Sequence, residues 1–176
     1  MEGKVMRFFT RSKSRPTEQS VRADFPAAKT ERRVISLLTP EQVTECGGLS
    51  PQAICGSFAT DEIAKESFQP NRTFVAFMHE VIGEAGLRDA ALRAAAAQQQ
   101  EGWVYVIDLR TSEGPQGRVP AEDIVGGFEV NEGQLTGTYR ANDRHLVYSG
   151  NGLVRLPPTL EAALVSELTK IAIKKP

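Results

Sequence analysis

Few residues in this chain have the type and spacing that chemistry needs. His79-Glu80 resembles the start of the H-E-x-x-H zinc motif, but position 83 is Gly, so the second ligand is missing. His145 is the only other histidine, and no metal site is expected. Cys46 and Cys55 lack C-x-x-C spacing and are too few for a disulfide framework. One bridge between them is conceivable, although two reduced thiols fit a cytoplasmic protein better. Cys46 falls at the end of a short helix, where the dipole does not activate a thiolate. Glu113 lies in Thr111-Ser112-Glu113-Gly114-Pro115, a turn sequence, and Glu122-Asp123 follow Pro120 as first-turn acids. Arg33 opens an apolar strand, Trp103 and Tyr105 alternate along another, and Tyr139-Arg140 read as structural residues near a sheet edge. No G-x-G-x-x-G, P-loop or G-x-S-x-G occurs.

The elements that would hold these residues can be read in order. Residues 33–37 form a strand. Thr39-Pro40-Glu41-Gln42 starts a helix through a capping box with Pro in its first turn, and Gly47-Gly48 ends it. A second short helix is expected over 61–68, a strand over 73–78 and a helix over 85–99. Residues 102–109 are β-branched and aromatic, the clearest strand in the chain. Residues 112–117 read as a turn. Residues 124–130 form a further strand, in which Gly126-Gly127 signals a bulge or a close backbone approach. Asn151-Gly152 joins a hairpin. Leu160, Leu164, Leu168 and Ile171 form the inward stripe of a closing helix over 159–173. Strands and helices mix without regular βαβ alternation, so the fold class is α+β.

Charge divides the chain. Residues 1–33 carry nine Lys/Arg against four Asp/Glu, and residues 34–176 carry twelve against eighteen. A basic, flexible tail over 1–31 thus leads an acidic domain over 32–176. The domain's charge has the wrong sign for nucleic acid. No apolar run reaches the length of a membrane span. Glu2 excludes N-myristoylation and the start does not read as a secretory signal.

Two blocks carry a resemblance. The first is Ser36-Leu37-Leu38-Thr39-Pro40-Glu41-Gln42 running into Gly47-Gly48-Leu49-Ser50-Pro51. The second is Gly117-Arg118-Val119-Pro120 followed by Ile124, Gly126, Val130, Gly133, Leu135 and Asn142. Both resemble, in order, the A chains of the cholera toxin and heat-labile enterotoxin family of mono-ADP-ribosyltransferases. The resemblance implies two small packed sheets flanking a cleft that holds NAD as substrate, with no metal. It further implies an effector or toxin that transfers ADP-ribose to a protein target, made in a bacterial cytoplasm and delivered into a target cell without a cleavable signal.

It also implies roles. The family's phosphate-holding arginine falls on Val34, which leaves the neighbouring Arg33 as the clamp. The hydroxyl-bearing strand of the nicotinamide pocket falls on Ala76-Phe77-Met78, so Ala76 and Phe77 would line the cofactor. The catalytic glutamate falls on Ser112, with Glu113 adjacent as the candidate. These replacements keep a second reading open: an inactive scaffold of this type that binds a protein or peptide, or docks its own basic tail.

Overall fold

The computed structural model describes residues 5–10, 17–22, 33–59, 63–110 and 119–173, with the backbone alone for 5–10, 17–22 and 172–173. The fold is α+β, with four α-helices and small, mostly antiparallel sheets among the described residues. The chain divides into two compact units, Met1–Phe77 with Val165–Pro176, and Met78–Leu164.

The first unit is built on a five-stranded sheet. Its strands are β1 (Val5–Thr10), β2 (Thr17–Arg22), β3 (Arg33–Ser36), β4 (Gly56–Phe58) and β5 (Phe68–Pro70), in the order β2-β1-β3-β4-β5. Within the leader, β1 pairs with β2 and runs parallel to β3, so the same sheet spans the boundary at residue 32. Val34, Ile35 and Ser36 are buried. Helix α1 (Pro40–Glu45) begins as its sequence dictates. Thr39 Oγ1 accepts from Gln42 N, and Gln42 Oε1 accepts from Thr39 N at 2.8 Å. Gly47 and Gly48, at φ +67° and +129°, end it in conformations that side-chain-bearing residues rarely adopt.

Two expectations fail here. Residues 73–78 are not a strand but part of helix α2 (Arg72–Gly86). Asn71 starts this helix, its Oδ1 accepting from Thr73 N while its Nδ2 donates to the carbonyls of Pro51 and Ile54. Phe74, Met78 and Ile82 are fully buried at four-residue spacing, a helical stripe that a six-residue apolar window does not separate from a strand. The helix expected over 61–68 is, in its described part, a 3-10 turn at Lys65–Ser67 followed by β5.

The second unit centres on a three-stranded antiparallel sheet of β6 (Gly102–Ile107), β7 (Ile124–Asn131) and β8 (Gln134–Ala141), in that order. Glu132 and Gly133, both at positive φ, make the tight turn between β7 and β8. The strand β8 was not anticipated, because its eight residues are mostly exposed and carry no apolar alternation. The helix expected over 85–99 is two: α2 ends at Gly86, and Asp89 caps α3 (Ala90–Gln99) by accepting from Leu92 N at 2.9 Å. Asp89 also accepts from Thr159 Oγ1, at the start of helix α4 (Pro158–Ile173). Leu160, Leu164 and Leu168 are buried along α4, as their spacing requires. A two-residue ladder, β9 (Tyr148–Ser149) with β10 (Gly152–Leu153), forms the hairpin around Asn151-Gly152. No helix among the described residues is long and apolar enough to cross a membrane.

Candidate binding groove

Alternation along β6 sorts its side chains. Val104 and Val106 are buried, while Trp103 and Tyr105 face the other way, and Tyr105 keeps 54% of its surface exposed. Across the sheet, Gly127 on β7 stands between Tyr105 on β6 and Arg140 on β8. Its missing side chain matters. A Cβ there would lie 3.1 Å from Tyr105 and 3.3 Å from Trp103, so the two rings settle over bare backbone. The Arg140 guanidinium lies 5.1 Å from the centre of the Trp103 ring, within cation–π range.

These residues line a groove of about 470 Å³, together with Ala121, Ile124, Gly126, Ala141, Asn142 and Arg144. Among the described residues the lining holds two arginines and no carboxylate. Asn142 sets its far end. Its Nδ2 donates to the carbonyls of Ala121 and Ile124, both at 2.6 Å, and its Oδ1 accepts from Arg144 N at 3.1 Å. Every polar atom of the Asn142 amide is thus used internally, and its effect is to fix the backbone that carries Arg144.

Below this end lies a buried polar hub. The Oδ2 atom of Asp108 accepts from Arg110 Nη2 at 2.8 Å and from His145 Nε2 at 3.1 Å. Its Oδ1 accepts from the backbone N–H groups of Arg110 and Arg155. Burial pushes the Asp108 carboxyl up, but His145, Arg110 and the two backbone donors outweigh it and hold the group below its usual range. An ionised carboxylate only accepts, so His145 carries its proton on Nε2. Arg110 Nη1 donates to Gly152 O at 2.6 Å, and Nη2 donates to Leu146 O. Asp123 lies 3.8 Å from Arg110, and burial pushes its carboxyl up. The hub ties the end of β6 to residues 145–155, and so anchors the segment that presents Arg144.

A second, part-buried pair lies on the inner face of the same sheet. His79 Nδ1 is 2.8 Å from Tyr139 Oη. Burial lowers the His79 pKa to about 4 and raises that of the Tyr139 phenol. The neutral phenol therefore donates to the neutral imidazole.

The residues singled out for NAD chemistry fall as follows. Arg33 is the first residue of β3, half-buried and opposite Phe58 on β4. Val34 is a core residue, 2% exposed. Ala76 and Phe77 belong to α2 and not to a strand, Ala76 exposed and Phe77 half-buried. β4 lies between β3 and β5, and β5 ends before α2 begins. Glu113 lies outside the described residues, as does the turn over 112–117. Both cysteines are free, and burial raises the thiol pKa at each. No cluster of three metal-ligating side chains occurs among the described residues.

In the sequence Arg140 reads as structural, and nothing near Arg144 or Asp108 marks either of them. The signal available was the Trp-x-Tyr alternation at 103–105 against Gly126-Gly127; the arginines become neighbours of it only through pairing across the sheet. No protein-family model, curated protein or solved structure matches this chain.

Proposed function

We propose that this chain is an effector-type protein built on an ADP-ribosyltransferase-like scaffold, and that it works by binding a protein partner. One observation carries the reading: the open face of β6, β7 and β8 combines Trp103, Tyr105, Arg140 and Arg144 in a groove with no carboxylate among its described lining residues. Trp, Tyr and Arg are the residues that dominate the binding energy of protein interfaces. The groove also falls within the size range of ligand sites, roughly 300–1,000 Å³. Its arginines disfavour the chain's own basic leader as the occupant.

A second reading retains the transferase, with Arg33 in the NAD clamp and Glu113 catalytic. What supports it is that Arg33 begins the strand leading into the capped helix α1 and the Gly47-Gly48 turn, where that chemistry would need an arginine. Thermal unfolding with NAD up to millimolar concentration separates the two. The binding reading expects no rise in Tm and no nicotinamide release. A rise in Tm with nicotinamide release, lost in Glu113→Gln, overturns it, because a ligand specific to the native state must stabilise it.

A further inference from the structure

We infer that the groove on β6, β7 and β8 accepts an acidic linear segment of the partner protein, its carboxylates paired with Arg140 and Arg144 and an apolar side chain seated on Tyr105. The inference rests on the protein-binding reading and specifies the partner's chemistry.

Charge is the first argument. Residues 34–176 carry an excess of acids, yet none of the described ones lines this groove. Arg140 and Arg144 are both exposed, and neither has a carboxylate partner among the described residues. A positive groove on a negative body concentrates its field where a short anionic ligand would sit.

Preorganisation is the second. Arg140 rests on the Trp103 ring, which restricts the guanidinium without consuming its hydrogen-bond donors. The backbone of Arg144 is held by Asn142 on one side, while the adjacent His145 is anchored on Asp108. Arg140 thus has little ordering left for binding to cost, and Arg144 is restrained at its backbone.

The same features select among anions. A nucleic acid carries phosphate at every step and would extend past two arginines onto the acidic body, where it is repelled. A nucleotide would stack its base, but Arg140 covers a face of Trp103 and leaves it Tyr105 as the open ring. A peptide with a few carboxylates around one apolar residue meets neither obstacle.

Trp103 is the only tryptophan, so its emission reports on the groove directly. The full chain is titrated with an eight-residue Glu/Asp peptide bearing a central Leu, a Lys/Arg peptide of the same design, and inorganic polyphosphate. Anisotropy of a fluorescein-labelled acidic peptide supplies an independent constant. The acidic peptide is expected to saturate both signals, to weaken as salt rises, and to lose at least about tenfold in affinity in the Arg140→Glu/Arg144→Glu double variant with Tm unchanged. No response to the acidic peptide overturns the inference. So does an equal response to the basic peptide, tighter binding of polyphosphate, or full affinity in the double variant. Stabilisation by NAD would instead strike at the protein-binding reading, so the two failures are distinct.

Discussion

Arg110 Nη2 lies 2.8 Å from Asp108 Oδ2, and both side chains are sealed from solvent, at 2% and 0% exposure. A charge pair in that position cannot lose one partner cheaply. Arg110→Met should leave the Asp108 carboxylate buried without its main counter-charge, and release the carbonyls of Leu146 and Gly152 as well. A loss of about 3–5 kcal/mol is expected in urea denaturation. The double variant Asp108→Leu/Arg110→Met should lose less than the sum of the two single changes, since the second change removes the orphaned charge.

Acid should destabilise the protein in two stages. His79 titrates near 4 when folded and near its ordinary 6.5 when unfolded. Its folded pKa is depressed, so the contribution is fully present above pH 6.5 and declines as pH falls towards 4. Asp108 also has a depressed folded pKa, so its contribution holds above the ordinary 3.8 and is lost as pH falls through the lower folded value. Urea midpoints measured between pH 7.5 and 3 check both. In His79→Gln the decline between pH 6.5 and 4 should flatten while the steeper acid limb remains.

Gly126 should refuse a methyl group. A Cβ there would collide with Tyr139 Oη and approach Arg140 O to 2.7 Å. Gly126→Ala is expected to cost about 1–3 kcal/mol by overpacking. Combining it with Tyr139→Phe removes the hydroxyl but not the carbonyl, so thermal denaturation should show partial relief, with a coupling that a double-mutant cycle can measure.

Asn142→Ala should act on stability and on the groove together. It strands the carbonyls of Ala121 and Ile124 and frees the backbone of Arg144. A destabilisation of about 1–3 kcal/mol is expected. If Asn142 positions Arg144, acidic-peptide affinity should fall at temperatures where the variant is still fully folded. Unchanged affinity under those conditions would leave Asn142 with a structural role alone.

Helix α2 should depend on a residue outside its apolar stripe. Asn71 supplies its first side-chain acceptor and bonds the Pro51 and Ile54 carbonyls. Asn71→Ala is expected to lower stability by about 1 kcal/mol or somewhat more, through loss of the cap. Asn71→Asp keeps the acceptor but not the donor, and should fall between the two in a thermal melt.

Local rules determined what the sequence alone could determine. The capping box at Thr39, the glycines that end α1, the β-branched run of β6 and the four-residue leucine stripe of α4 each depend on neighbours within a turn or two. The same reasoning failed at 73–78, because a short apolar run satisfies strand and helix alike, and the choice fell to Asn71 and to burial of Phe74, Met78 and Ile82. It could not reach the groove or the hub. Asp108 and His145 are 37 positions apart, and Arg140 meets Trp103 only because β7 pairs with both of their strands. Which side chains become neighbours across a sheet is set by strand order and register, and these follow from the collapse of the whole unit rather than from any segment of it.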